Sequence, residues 1–190
     1  FMDDDDISEK NRVEKQVKSI LQAGFNSNDC VLSICNIFRR YKSGYLKEMS
    51  VFGTNGLKPL NEEFIDFLLF NKKNPKVDYG FGCPTCSMMI SKKCFNLVGI
   101  FDENLQRVED MDLTIRLCKA NCKFIYSKDT YIKQFSTSGN DKSPLINLKS
   151  ELQIIKKNKE YLLKKRMYLY SRLWPYLRYY YFKKNYFLLI

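Results

Sequence analysis

Residues 87–127 carry the pattern that decides the fold, and they read SMMISKKCFNLVGIFDENLQRVEDMDLTIRLCKANCKFIYS. Within this stretch, Ser91 can cap a short helix that Gly99 is placed to end. A longer helix begins at Glu109, and its apolar residues recur at helical spacing: Leu113, Leu117 and Ala120. A strand leads into Ser91, and the segment KFIYS at 123–127 suits another strand. The stretch therefore predicts strand, helix, turn, helix and strand, which is an α/β pattern.

Patterns on both sides extend this prediction. Residues 30–38, CVLSICNIF, form an apolar run of strand length, and 41–58 is predicted to be a loop. Asn61 can cap a helix that carries four apolar residues: Phe64, Ile65, Leu68 and Leu69. The opening segment FMDDDDISEK predicts a strand end, an acidic loop and a helix capped by Ser8, with apolar residues at helical spacing: Val13, Val17, Ile20 and Leu21.

Composition limits the chemistry that this chain can perform. Its 190 residues are 45% hydrophobic and 28% charged, which suits one domain with a real core. Histidine is absent, so mechanisms that need an imidazole base or ligand are excluded. Seven cysteines make an odd number without the density of a secreted disulfide scaffold, and no run of about 18 apolar residues predicts a spanning helix. We expect a cytoplasmic protein.

Positive charge is concentrated at the C-terminal end. The net charge is +11, and residues 151–190 contribute +8 of it, with ten Lys and Arg against two Glu. We therefore divide the chain into residues 1–142, an α/β domain, and 143–190, a basic, aromatic-rich helical tail. Aromatic residues mixed with cations are typical of a helix at a membrane surface. The same composition also suits a helix packed on the core. A site for single-stranded nucleic acid is the least favoured alternative, because no known nucleic-acid motif accompanies the aromatic and basic residues.

Four consecutive aspartates follow the apolar pair at the start of the chain. At a strand end alternate side chains point to the same side, so Asp3 and Asp5 would converge. Paired carboxylates are ligands that Mg²⁺ or Mn²⁺ prefers, and such an ion normally bridges to phosphate oxygens. The alternative is a solvated acidic segment or an acidic helix start.

A second acidic group lies in the segment QRVEDMDLTIRL. Glu109 and Asp110 begin a predicted helix, where the positive end of the helix dipole favours ionised carboxylates. An ionised aspartate at a loop-to-helix junction can act as a general base toward a hydroxyl. The alternative is that these acids only complete the first turn, with Asp112 and Arg116 forming an i,i+4 pair worth about 0.3 kcal/mol.

Taken in order, these segments resemble the family 2 glycosyltransferases with a GT-A fold. The similar pieces are the Asp-x-Asp segment, the turn VGIFDENL at 98–105, the Glu109-Asp110 pair and the Asp-Leu-x-x-Arg-Leu helix that starts at Asp112. The resemblance covers residues 1 to about 140. It implies the C-terminal portion of a GT-A domain, a Rossmann-like mixed sheet with flanking helices, preceded in the family by a nucleotide-binding half that we expect upstream of residue 1.

The resemblance also implies a reaction and a role for each residue. A sugar would pass from a nucleotide-sugar donor to an acceptor hydroxyl, usually with inversion, on a glycan or lipid-linked acceptor at the cytoplasmic face of a membrane. Asp5 would coordinate Mg²⁺ or Mn²⁺ on the donor diphosphate, and Asp3 would lie near the ribose or the metal. Asp110 would be the base, and Glu109 would orient the acceptor. Gln134 stands where many relatives have a metal-binding His. The competing function is a non-enzymatic basic module that binds a membrane or nucleic acid.

The cysteines offer a second candidate metal site. Cys83 and Cys86 have the spacing of half a zinc site, and Cys118 and Cys122, four apart on a helix, could form the other half. Free cysteines are also common small core residues. The proline and threonine between the first pair are expected to help shape the acceptor pocket of a glycosyltransferase.

Overall fold

The computed structural model describes residue 2, residues 5–137 and residues 143–188. Five strands of these residues form one mixed sheet: β1 Ile7–Ser8, β2 Val31–Arg40, β3 Leu46–Met49, β4 Met89–Ile90 and β5 Lys123–Phe135. Helices cover it: α1 Arg12–Gln22, α2 Asn61–Phe70, α3 Lys92–Val98, α4 Glu109–Lys119, α5 Pro144–Lys157, α6 Lys159–Lys164 and α7 Tyr168–Phe182. The predicted α/β class is confirmed.

Two long parallel strands form the centre of the sheet. β2 pairs with β5 from Val31 opposite Lys123 to Arg40 opposite Phe135, with an irregularity at Asn36. The strand order is β1-β5-β2-β3, and β4 pairs with the first half of β2. Because parallel strands require a crossover, α2, α3 and α4 all lie between β2 and β5 in the chain. The carboxyl ends of both central strands therefore meet at one edge of the sheet.

Alternating side chains of β2 supply two apolar cores. Leu32 and Ile34 are fully buried in a large core with side chains of α2, α4, α5 and α6. Cys35 and Ile37 point the other way into a smaller core that also holds Cys86. Both faces of the central strand are covered, which explains why its sequence is a continuous apolar run.

The orientation of α1 differs from its apolar pattern. Val13 and Leu21 are 58% and 59% exposed, whereas Arg12 and Gln16 are buried. Gln16 donates hydrogen bonds to the carbonyl oxygens of Ser33 and Ser87, at 3.2 and 3.0 Å. These bonds satisfy backbone groups beside the sheet, so the polar side of α1 faces inward. The helix also starts later than expected, with Asn11 rather than Ser8 at the N-cap position.

Residues 41–58 are not a simple loop. β3 forms a hairpin with β2 in which Ile37 lies opposite Met49 and Arg40 opposite Leu46. The strand is a short, mostly exposed edge strand that lacks the apolar alternation on which strand prediction depends.

The helices after residue 143 belong to the same core as the sheet. Ile154 of α5 and Leu162 of α6 are fully buried in the large core. The Tyr161 hydroxyl donates a hydrogen bond to Asp66 of α2 at 2.5 Å. α7 then packs on α5 and α2. The predicted boundary at residue 142 itself lies outside the described residues.

Candidate functional site

The first turn of α4 is held by a strained residue. Val108, at the N-cap position, has a φ of +59°, which is rare for a β-branched side chain. Such strain costs about 1–3 kcal/mol and clusters at functional sites. It sets the position at which Glu109 and Asp110 enter the helix.

Asp110 has the properties of a base near neutral pH. Burial, reinforced by the neighbouring Glu109 carboxylate, raises the pKa of Asp110 from 3.8 to about 6. The backbone N–H of Met111 donates to Asp110 Oδ1 at 2.7 Å and opposes part of this rise. A general base works best when its pKa lies near the operating pH. The raised pKa of Asp110 is the feature that favours a base over an acid that only completes the helix turn.

The loop at residues 83–86 lies against these carboxylates. Thr85 donates a hydrogen bond to Glu109 Oε1 at 3.5 Å. Burial raises the pKa of the Cys83 thiol well above its usual value, and the Cys118 thiol and the Asp110 carboxylate add to the rise. The Thr85 hydroxyl and the protonated Cys83 thiol therefore lie close to the two acids.

The same loop also contacts the end of β5. Gln134 Nε2 lies 3.6 Å from the sulfur of Cys86, the residue after Thr85. Gln134 Oε1 accepts a hydrogen bond from Arg39 Nε at 2.8 Å. This amide oxygen, predicted as a metal ligand, therefore already has a cationic partner. Arg39 was not predicted as a site residue, although its place near the end of an apolar strand was a usable signal.

The acidic segment lies beside the same strand end. Asp6 Oδ1 accepts a hydrogen bond from the backbone N–H of Phe135 at 3.2 Å. Asp5, immediately before Asp6, is exposed in a turn, and β1 follows these two residues. Asp3 lies outside the described residues, so its convergence with Asp5 stays a prediction.

Asp112 and Arg116 form a structural network rather than an ordinary surface pair. Asp112 is 2% exposed and accepts from Arg116 Nε at 2.8 Å, while Lys157 of α5 lies on its other oxygen. The Arg116 guanidinium also donates to the carbonyl oxygens of Val98 and Ile100, at 2.6 and 2.9 Å. The Asp-Leu-x-x-Arg helix thereby fixes the turn after α3.

A cavity of about 440 Å³ opens beside α4. Val108 and Met111, which precede and follow the two acids in sequence, line it together with Trp174 and Pro175 of α7, whereas Glu109 and Asp110 do not line it. Glu151 of α5 lies in the same wall, and its partner Arg178 donates to it at 2.9 Å. The start of α4 and the last long helix therefore share one cavity.

The zinc grouping of Cys83, Cys86, Cys118 and Cys122, left open as an alternative to free core cysteines, does not form. Cys86 is buried in the smaller core beside Cys35, whereas Cys118 and Cys122 belong to the larger one. Among the described residues, the cysteines that converge are instead Cys30, Cys94 and Cys122, whose sulfurs all lie within 4.8 Å of one another.

No protein-family model, curated protein or solved structure matches the chain. Among the described residues, no helix combines the length and apolar character needed to cross a bilayer.

Proposed function

We propose that this protein is a metal-dependent, inverting glycosyltransferase that moves a sugar from a nucleotide-sugar donor to an acceptor hydroxyl. The observation that carries the proposal is Asp110, a carboxylate of raised pKa at the start of α4, whose charge helps to raise the pKa of Cys83 in the loop at residues 83–86. In this proposal the mixed sheet is the C-terminal portion of a GT-A domain. The order of the acidic segment, the 98–105 turn and the Glu109-Asp110 pair supports that assignment.

Asp110 would remove the proton from the acceptor hydroxyl as the hydroxyl attacks the sugar. Its partial burial keeps its proton affinity high enough for this step near neutral pH. Glu109, which accepts from Thr85, would orient the acceptor from the same helix turn. Because Thr85 and Cys86 are adjacent and contact Glu109 and Gln134 respectively, one loop joins the acceptor side to the end of β5.

The donor side would lie at that strand end. Asp5, with Asp3, offers the hard carboxylate oxygens that suit Mg²⁺ or Mn²⁺, and such an ion would neutralise charge on the leaving diphosphate. Gln134 fits this role poorly because its oxygen accepts from Arg39. We assign Arg39 and Gln134 together to phosphate contact instead, since a guanidinium is a good phosphate donor.

The exposed face of α7 supports a lipid-linked acceptor, and α7 also borders the cavity beside α4. The face of α7 away from the core carries exposed apolar and aromatic side chains: Leu169, Tyr170, Leu173, Trp174, Leu177 and Tyr181. Arg172 and Arg178 flank this face. A helix with this composition suits peripheral attachment to the cytoplasmic face of a membrane, which would place the protein beside a lipid-linked glycan.

The decisive experiment measures transfer by the protein as its gene encodes it, with any residues encoded before Phe1. Release of nucleoside diphosphate is followed with a panel of nucleotide sugars, Mn²⁺ or Mg²⁺, and lipid-linked and glycan acceptors. We expect Asp110→Asn to lower kcat/KM by about 100-fold or more with little change in donor binding. The wild-type rate should fall with decreasing pH below about 6, where Asp110 becomes protonated.

Glu103→Gln is the matched control, because Glu103 is an exposed acid on the turn before α4. It should leave both rate and pH profile unchanged. If the wild type transfers no sugar and binds no nucleotide sugar with either metal, the non-enzymatic basic module replaces the enzyme. Full transfer by Asp110→Asn would show that the base has been misassigned.

A further inference from the structure

Three cysteines from distant parts of the chain converge at the amino ends of the central strands. Cys30 immediately precedes β2, Cys122 immediately precedes β5, and Cys94 lies on α3. Their sulfurs lie within 4.8 Å of one another. We propose that these three thiols bind one thiophilic d¹⁰ cation, of which Zn²⁺ is the representative.

The spacing of the sulfurs suits this cation. A zinc–thiolate bond is about 2.3 Å long, so tetrahedral ligation places sulfurs about 3.8 Å apart. Sulfurs already within 4.8 Å reach that geometry through side-chain rotation and shifts of about an ångström. Thiolates are soft ligands and select zinc or copper(I) over the hard cations that carboxylates prefer.

The backbone around the three sulfurs is held by bonds that do not depend on a metal. The N–H of Lys123 donates to the carbonyl oxygen of Cys30 at 2.8 Å, which ties two of the cysteines together. The N–H of Cys94 donates to the carbonyl oxygen of Ser91 at 3.0 Å. The cluster is therefore preorganised, which lowers the cost of binding.

Access and the fourth ligand position follow from burial. Cys94 and Cys122 are 0% and 2% exposed, whereas Cys30 is partly exposed and provides the entry path. The Ser91 hydroxyl lies 3.4 Å from the Cys94 sulfur. It already donates to the backbone carbonyl oxygen of Asp29 at 2.7 Å and accepts from the backbone N–H of Val31 at 3.2 Å. The fourth position is thus left to water on the Cys30 side.

Binding must displace protons, which makes it depend on pH. Zinc binds thiolates, so it releases protons from the three thiols. The apparent affinity should therefore rise with pH.

The cluster lies at the edge of the sheet opposite Gln134 and Phe135. A bound cation would join the amino ends of β2 and β5 to α3, so its effect is on stability. The proposed zinc site does not rest on the proposed sugar transfer.

The test titrates the reduced, metal-free chain with Zn²⁺ in competition with a chromophoric chelator. We expect one Zn²⁺ per chain, a raised melting temperature, and thiolate-to-metal charge-transfer absorption when Co²⁺ replaces Zn²⁺. Loss of an outer-shell partner typically costs about 10–100-fold in affinity, so loss of a ligand in Cys30→Ser should cost more than about 100-fold. Because Cys30 is partly exposed, this variant should retain the far-ultraviolet circular dichroism of the folded chain.

Cys122→Ser provides the second ligand variant, and Cys35→Ala is the control, since Cys35 is buried in the smaller core. The control should keep one Zn²⁺ per chain. The proposal is overturned if the folded wild type binds no Zn²⁺, if Cys30→Ser binds it as tightly as the wild type, if the control loses it equally, or if two of the three cysteines form a disulfide in protein isolated from a reducing cytosol.

Discussion

Asp110 is stabilised in its neutral form by the fold, although its proposed role requires the charged form. Its pKa is about 6 in the folded chain against an ordinary 3.8, because burial and the adjacent Glu109 both penalise the carboxylate. Between these two pH values the folded state binds the extra proton and the unfolded state does not. Stability therefore decreases as pH rises through this window, and the loss is complete above the folded pKa.

We expect Asp110→Asn to stabilise the protein at pH 7, since it removes a partly buried charge. The gain should be about 1–2 kcal/mol in the free energy of unfolding and should vanish near pH 4, where the wild-type Asp110 is already protonated when folded. Urea denaturation at the two pH values measures it. Glu103→Gln should leave the free energy of unfolding unchanged at both pH values. A lower free energy of unfolding for Asp110→Asn at pH 7 would contradict the cost assigned to burying the Asp110 carboxylate.

Arg116 explains why the Asp-Leu-x-x-Arg pattern is structural. Its guanidinium bridges Asp112 and the carbonyl groups that end α3, so several donors act at fixed angles. Lysine keeps the charge but lacks the planar fork. Arg116→Lys should therefore lower the free energy of unfolding by about 2 kcal/mol.

Arg40→Lys is the control for this substitution, because Arg40 is exposed at the end of β2. It should remain within about 0.5 kcal/mol of the wild type. Urea denaturation of both variants decides the matter, and equal stabilities would show that Arg116 acts as a simple surface charge.

The glycine turn before the 83–86 loop is an element with no room for a side chain. Gly80 has a φ of +49°, and a Cβ there would lie 2.5 Å from backbone atoms of Ser50 and Val51. The N–H of Phe81 donates to the carbonyl oxygen of Ser50 at 3.0 Å and holds this approach. The turn thereby positions the loop that faces Glu109.

We expect Gly80→Ala to destabilise the protein by about 4 kcal/mol, because the new methyl group meets rigid backbone rather than a movable side chain. Gly44→Ala is the control: Gly44 also has a positive φ, of +85°, but its Cβ would meet open space, so the substitution should cost only about 1–2 kcal/mol. Thermal and urea unfolding of the two variants test this, and equal losses would contradict the proposed close approach.

Elements with strong periodicity could be predicted from sequence, and long-range arrangements could not. β2 and α4 were found because a buried strand and an amphipathic helix leave local patterns. α1 was found as a helix, but its burial was missed because Arg12 and Gln16 bond to carbonyl groups far along the chain.

The same limit applies to the candidate site. Glu109 and Asp110 were recognised by their place in a local motif, but the raised pKa of Asp110 depends on burial that folding creates. The cluster of Cys30, Cys94 and Cys122 has no motif spacing, since its members meet only when β2 and β5 align. Gln134 was predicted from the resemblance, whereas its bond to Arg39 arises from strand register.

At the scale of the whole molecule, charge and exposed apolar surface coincide. Residues 151–190 carry +8 of the +11 net charge, and α7 presents the outward face described above. Its inward side, with buried Ser171 and Pro175, packs on α5. The expected packing and the proposed membrane contact therefore use opposite sides of one helix.

We expect the protein to sediment with anionic vesicles and much less with neutral ones, because each Lys or Arg near an anionic surface contributes about 1 kcal/mol until salt screens it. Leu173→Gln/Leu177→Gln should release it, since both residues lie on the exposed face of α7. Leu21→Gln/Leu97→Gln removes two leucines of similar exposure elsewhere and should leave binding intact. Liposome co-sedimentation across a salt series measures this. Equal binding to both lipids, or equal release by both double variants, would exclude α7 as the membrane-binding helix.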